Sequence, residues 1–211
     1  MEKYRKLGWC MLFMEMTVIL LVGLAMFFYP EPYSWTNHFL SALGLTRLPD
    51  GTSNWISCLL FNAALVCAGM MTAAYFLMRS REFDRPLFRW IMGITGTLGG
   101  ISLIGIGLPD NLYPELHNGA TYLFAAVGAS IGMTLFQADT PFGLRAESIN
   151  WYIFSLFVLT VRECLHSMVY PLKMLPVYPT EPFLQKMVIA FFLYYMIYQT
   201  AVLLFRTRNR R

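Results

Sequence analysis

The stretch NWISCLLFNAALVCAGMMTAAYFL, residues 54–77, contains no charged side chain and is long enough to decide the fold class. An α-helix rises about 1.5 Å per residue, so a run of this length crosses the roughly 30 Å hydrocarbon core of a bilayer. The whole chain has the same character, because 57% of its 211 residues are hydrophobic and only 13% are charged. A typical soluble domain carries about 25% charged residues. The sequence therefore predicts an integral membrane protein.

Similar apolar runs recur along the chain and predict six membrane-spanning helices, at about residues 8–29, 54–78, 88–108, 116–136, 149–170 and 183–205. At this span length only helices satisfy their backbone hydrogen bonds internally, so we expect an all-α integral membrane protein with a six-transmembrane-helix bundle. The connections are short except for residues 30–53, which predicts a single membrane domain over 1–211. The basic and then apolar N-terminal segment is too long for a signal peptide, and we interpret it as a retained first helix.

The basic residues predict the orientation of the bundle. With a cytoplasmic N-terminus, the cytoplasmic segments contain most of the 16 Lys and Arg residues, namely Lys3, Arg5, Lys6, Arg79, Arg81, Arg85, Arg89, Arg145, Arg206, Arg208, Arg210 and Arg211. Cytoplasmic loops of membrane proteins are enriched in Lys and Arg. We therefore expect both termini to be cytoplasmic. The net charge of +4 is explained by this bias and by anionic lipid head groups, so nucleic acid is not expected as a partner.

The three histidines, His38, His117 and His166, all fall toward the extracytoplasmic face of this topology. His117 lies in LPDNLYPELHNG, residues 108–119, which separates two apolar runs and also contains Asp110. A short loop joins Asp110 to the helix that His117 opens. The two side chains can therefore face one pocket that opens outward.

The predicted fifth span contains charged residues, in the segment TVRECLHSMVY, residues 160–170. Arg162 would lie near the bilayer centre, at a cost of about 2.5–3.5 kcal/mol, so it should face the bundle and have a partner. Glu15 in the first span is the expected counter-charge. Glu163 and His166 follow on the same helix, and Asn62 lies in the second span. These residues predict either a polar pocket or an internal salt-bridge network that fixes helix packing.

Four segments, in order, resemble the DUF998 family, which is related to the Frag1/DRAM/Sfk1-type six-helix membrane proteins. They are NHFLSALG (37–44), the stretch quoted first, LIGIGLPD (103–110) and ELHNGATYLFAAVGASIG (115–132). The resemblance covers roughly residues 34–136. It implies a six-helix fold, a Ser-x-Leu-Gly element at Ser41–Gly44, and a later acid and histidine at Asp110 and His117. Family members often have an acid after the serine, where this chain has Ala42. Lipid remodelling by some relatives is the function that the resemblance implies.

The first functional hypothesis is a membrane-embedded protein that remodels, hydrolyses or binds lipid in a pocket open to the extracytoplasmic leaflet. Whether it is an enzyme is left open. The candidate catalytic residues are His117, Asp110, His166 and Glu163, with His117 as a general base. The candidate substrate-binding residues are Asn37, His38, Ser41, Asn62, Glu15 and Arg162. In a metal-dependent form of this hypothesis, a divalent metal such as zinc would be bound by His38, His117 and His166, with one coordination position left for water.

Two further functional classes stay open at this stage. One is a transporter of a small solute, an ion or a proton, with the intramembrane charged residues along its path. The other is a structural or sensor subunit of a membrane complex. Membrane lipids are the expected partners in each case, and a homo-oligomer or a membrane-protein partner is also compatible with the sequence.

Overall fold

A computed structural model of the protein describes residues 2–133, 155, 158, 162 and 181–206. Its long helices are α1 (Glu2–Phe27), α2 (Trp55–Ser80), α3 (Pro86–Ile106), α4 (Pro114–Leu123), α5 (Ala125–Met133) and α6 (Glu181–Arg206). A 3-10 helix, Leu40–Gly44, lies in the connection between α1 and α2. Within these ranges the chain forms no strand, and Arg47 and Ser53 make one isolated β-bridge. The expected all-helical class is confirmed.

Four of the helices contain stretches long and apolar enough to cross a membrane, Arg5–Phe27, Trp55–Ser80, Pro86–Ile106 and Pro182–Phe205. Each agrees within a few residues with a span expected from the sequence. Their outward faces carry large exposed apolar side chains, among them Phe13, Leu20, Trp55, Trp90 and Ile101, as expected for helices in contact with lipid. The protein is therefore of the membrane-embedded, helical type.

The predicted fourth span, 116–136, differs from a single helix in its described part. The chain there forms α4 and α5 with a break at Phe124, whose N–H donates to the carbonyls of Ala120 and Thr121. The Thr121 hydroxyl donates to the His117 carbonyl within α4, a bond that often accompanies a bent helix. Most of the predicted fifth span lies outside the described residues, although Ser155, Val158 and Arg162 are helical.

The core forms where α2 packs between α1 and α3, with α6 against α1 and with α4 and α5 against α3. Glycines permit the close approach of α2 and α3. A Cβ atom on Gly100 would meet the carbonyl oxygen of Gly69 and, at 2.8 Å, the side chain of Ala73. Small residues at helix contacts allow backbones to approach in this way.

The bundle has two distinct ends. At the end that we call the loop end, residues 28–54 and 107–113 meet the first turns of α2, α4 and α6. At the opposite end, Arg79 in the last turn of α2 forms an ion pair with Glu82 in the short connection to α3, and both side chains are almost fully buried. The residues that the sequence singled out in loops lie at the loop end.

Candidate functional site at the loop end

The Ser41–Gly44 element forms the 3-10 helix, and the side chain of Asn54 holds it in place. The Asn54 amide nitrogen donates to the carbonyl oxygens of Ala42 (3.4 Å), Leu43 (3.3 Å) and Leu45 (2.8 Å). The hydroxyl of Ser57, one turn into α2, also donates to the Leu43 carbonyl at 3.2 Å. The residues that start α2 therefore satisfy the carbonyls at which the 3-10 helix ends.

The stretch 108–119 docks onto this same region through Asn111. Its amide oxygen accepts a hydrogen bond from the Thr46 N–H at 3.1 Å, and its amide nitrogen donates to the Thr46 hydroxyl at 2.7 Å. Two side-chain bonds to one residue fix both the position and the orientation of the turn. The turn is thus part of a folded cap over the loop end.

His117 is buried in the first turns of α4, with 8% of its surface exposed. Its Nδ1 atom lies 3.2 Å from the carbonyl oxygen of Leu108. A carbonyl oxygen can only accept, so Nδ1 carries the proton in this bond and Nε2 carries the lone pair of the neutral ring. Nε2 is therefore the nitrogen available to take up a proton or to bind a metal ion.

Asp110 lies in the turn that precedes α4 and is half-buried. Neither a hydrogen bond nor an ion pair joins it to His117 in the part of the chain that the structure describes. The backbone carbonyl of Leu108 is the group that orients the histidine. The catalytic pairing of Asp110 with His117 stays a prediction.

His38 occupies a different position at the loop end, among aromatic rings. Its Nδ1 accepts a hydrogen bond from the Ser34 N–H at 3.2 Å, and its Nε2 lies 3.4 Å from a carboxylate oxygen of Glu31. The rings of Tyr29 and Tyr33 each lie with their centroids 5.6 Å from that of the imidazole. Burial raises the pKa of both tyrosines, so both are neutral phenols at neutral pH.

Lys186 connects this aromatic group to α6. Its ammonium donates to the backbone carbonyls of His38 and Pro182 and lies 5.3 Å from the centre of the Tyr33 ring. Only 6% of Lys186 is exposed. Because carbonyl dipoles and the face of an aromatic ring both stabilise a cation, this lysine fixes the loop to the last helix.

The remaining candidates at the loop end are not brought into one cluster. Asn37 is exposed, and its N–H donates to the Ser34 hydroxyl. Ser41 is half-buried in the 3-10 helix. Asn62 lies in α2, one turn after Cys58, and its amide nitrogen donates to the Cys58 carbonyl at 3.0 Å.

The intramembrane candidates lie apart from these loops. Glu15 is fully buried in α1 and accepts a 2.6 Å hydrogen bond from the Thr200 hydroxyl of α6. Arg162 is helical and half-buried and engages another group. Glu163 and His166 lie outside the described residues, so their expected roles, and the pairing of Arg162 with Glu15, stay predictions.

No group of three or more His, Cys, Asp or Glu side chains is arranged to hold a metal ion within the described ranges. His38 is held by Ser34 and Glu31, and His117 by Leu108. His166, the third proposed ligand, lies outside these ranges. Zinc binding by the three histidines therefore stays a prediction.

The comparisons with known proteins found no matching family model, no matching curated protein and no matching solved structure.

Sequence reasoning missed the residues that build the cap. Asn54, Asn111 and Lys186 make its long-range bonds, yet none was a candidate. Asn54 directly precedes an apolar span, where a capping role is the usual interpretation. The sequence did contain a signal for Lys186, because a charged residue within a predicted apolar span usually has a specific partner.

Proposed function

We propose that the protein binds or remodels membrane lipid at the extracytoplasmic end of a six-helix bundle with two cytoplasmic termini. The six-helix count adds the predicted fourth and fifth spans to the four helices of membrane length. The orientation rests on the basic residues, and it makes the loop end extracytoplasmic. The resemblance to the DUF998 family, some of whose wider relatives remodel lipid, adds to the proposal.

The observation that carries the proposal is the environment of His117. Its ring is oriented by the Leu108 carbonyl, which leaves Nε2 as the basic nitrogen. Leu112, Tyr113 and Leu116, in the same stretch, are 51%, 50% and 59% exposed. A buried base beside exposed apolar side chains suits a ligand whose polar ester group adjoins acyl chains.

In the hydrolytic form of the proposal, His117 acts as a general base. Nε2 removes a proton from a water molecule as the water oxygen bonds to the ester carbonyl carbon. The proton is then delivered to the departing alkoxide as the acyl–oxygen bond breaks, and the imidazole returns to its neutral form. If the protein only binds lipid, Nε2 instead accepts a hydrogen bond from a head-group hydroxyl or ammonium.

The test replaces His117 with Asn and with Gln. The amide nitrogen of Asn occupies the position of Nδ1 and preserves the bond to Leu108, but the residue has no basic nitrogen. We expect His117→Asn to retain the thermal stability of the wild type and to lose activity by about 100-fold or more, the usual size of a general-base contribution. His117→Gln, which cannot make the Nδ1 bond in the same place, should lose both activity and some stability.

Activity is measured on full-length protein in vesicles of phosphatidylcholine, phosphatidylethanolamine and phosphatidylglycerol, with released fatty acid and lysolipid quantified by mass spectrometry. Native mass spectrometry of the same samples reports retained lipid. The proposal would be contradicted if the His117 variants released as much product as the wild type. It would also be contradicted if the wild-type protein neither retained lipid nor released product. The transport and structural-subunit alternatives stay predictions.

A further inference from the structure

Glu15 is a carboxyl group inside a membrane-crossing helix, far from the loop end. It lies about 15 Å along α1 from Arg5, where the membrane-length part of that helix begins,. None of its surface is exposed. One carboxyl oxygen accepts the hydrogen bond from Thr200, and the other is buried with no hydrogen-bond partner in the described part of the chain.

Within the part of the chain that the structure describes, α2 and α6 pack against α1, and no described side chain of either helix supplies a cation to this carboxyl. Where burial is described, the buried or half-buried titratable side chains of α2 and α6 are Cys58, Cys67, Tyr75, Arg79, Lys186, Tyr195 and Tyr198. Of the two cations, Arg79 pairs with Glu82 at the opposite end, and Lys186 binds backbone carbonyls at the loop end. Both of these cations are thus committed to other groups. Arg162, the cation that the sequence suggested as a partner, engages another group, and no hydrogen bond reaches the second carboxyl oxygen of Glu15 from it or from any other described residue.

An ionised carboxylate without a nearby cation is strongly disfavoured in a desolvated interior, and such a group takes up a proton instead. We propose that Glu15 is a proton-binding site between α1 and α6, neutral when its proton is bound. In this state one oxygen carries the proton, and the carbonyl oxygen accepts from Thr200. This site is separate from the proposed lipid site at the loop end and does not depend on it.

The position of Thr200 indicates the side with which the proton exchanges. Thr200 lies about 8 Å along α6 from Phe205,, and Gln199, Tyr195 and Tyr75 are also buried in this half of the bundle. Through Thr200, the shorter route for exchange of the proton therefore leads toward the opposite end.

The test is labelling of the full-length protein in native membranes with dicyclohexylcarbodiimide, a membrane-soluble reagent for carboxylic acids. The carboxyl proton passes to a carbodiimide nitrogen as a carboxyl oxygen bonds to the central carbon. The acyl group then migrates to nitrogen, and the adduct contains the whole reagent with nothing released. We expect a Glu15 peptide with this added mass, and no labelling by a water-soluble carbodiimide.

Labelling should decrease about tenfold for each pH unit above the point at which Glu15 loses its proton. Glu15→Gln should abolish it and leave the melting temperature nearly unchanged, because the Gln carbonyl still accepts from Thr200. Thr200→Val should alter the pH at which labelling is lost. Thr72→Val is the matched control, since the Thr72 hydroxyl is buried and, among the described residues, bonds only the Ala68 carbonyl of its own helix.

Two outcomes would overturn the proposal. One is equal labelling of wild type and Glu15→Gln, which would assign the reactive carboxyl elsewhere. The other is no labelling of Glu15 between about pH 5 and pH 9, a range that includes the documented extremes for buried carboxyls. If Glu15 is instead ionised in an ion pair, we expect no labelling, and we expect Glu15→Gln to destabilise the protein strongly.

Discussion

Asn54 directs its side chain away from the helix that it precedes. It is the N-cap residue of α2 but makes no side-chain capping bond. Its amide instead donates to carbonyls on both sides of Gly44. Asn and Asp are equally good N-cap residues, but only Asn can donate to carbonyl oxygens. The identity of this residue is therefore set by the 3-10 helix.

Replacing Asn54 with Asp tests this assignment. The carboxylate would face carbonyl oxygens in a buried site, so we expect a loss of about 2–3 kcal/mol in the free energy of unfolding. Ser57→Ala, which removes a single bond to the Leu43 carbonyl, should cost about 1 kcal/mol. Thermal unfolding in detergent measures both. If Asn54→Asp left the free energy of unfolding unchanged or increased it, helix capping would be the dominant role of this position.

At the scale of elements, the contact of α2 with α3 is the most extensive one among the described helices. Gly69 and Gly100 face each other, and Gly96 lies against the side chain of Phe76. A methyl group at Gly100 would meet backbone atoms, which cannot rotate away as a flexible side chain can. The separation of the two helices therefore depends on this glycine.

We predict that Gly100→Ala destabilises the protein by about 1–3 kcal/mol, the usual cost of overpacking. Gly23→Ala is the matched control, because Gly23 lies in a membrane-length helix and a Cβ there has no atom of the described residues within 4 Å. That change should be neutral or stabilising, by up to about 1 kcal/mol, since alanine favours the helix. Melting temperatures in the same detergent compare the two. Equal effects would show that α2 and α3 can separate without cost.

At the scale of the whole molecule, the two ends of the bundle should face opposite sides of the membrane. Pro49 is exposed in the loop between α1 and α2, and Asp84 is exposed in the connection between α2 and α3. A helix that crosses the membrane separates them. The proposed orientation assigns Pro49 to the outside and Asp84 to the cytoplasm.

Single cysteines at these two positions, in a background that lacks the native ones, test the orientation. A membrane-impermeant maleimide added to intact cells should label Pro49→Cys only, and Asp84→Cys should react only after the cells are opened. The reverse pattern would invert the orientation and make the loop end cytoplasmic. Labelling of both positions in intact cells would contradict a membrane-spanning α2.

The sequence predicted the ends of α2, α3 and α6 well, because long uncharged runs have few alternatives in a bilayer. The first helix begins at Glu2, earlier than the predicted start at about residue 8, because its first turns are polar and lie outside the apolar run. It did not predict the break at Phe124, since the residues around it are as apolar as those of an unbroken span. It also placed His38 and His117 at one face but could not show that different groups hold them. The bonds of Asn111 to Thr46 and of Gln185 to Leu40 join residues far apart in the chain, and no local pattern marks such pairs.

The bond between the Leu40 N–H and Gln185 spans 145 residues, and this separation has a consequence for biosynthesis. At about 5–20 residues per second, the ribosome needs roughly 7–30 s to reach Gln185 after it has made Leu40. During that interval the 3-10 helix can be held by Asn54, which is already synthesised, and later by Asn111. The carbonyl of His38 has no Lys186 to bind until α6 is made. The nascent chain therefore completes its loop end last, and a chain that stops before α6 would display this unfinished surface to the quality-control machinery of the membrane.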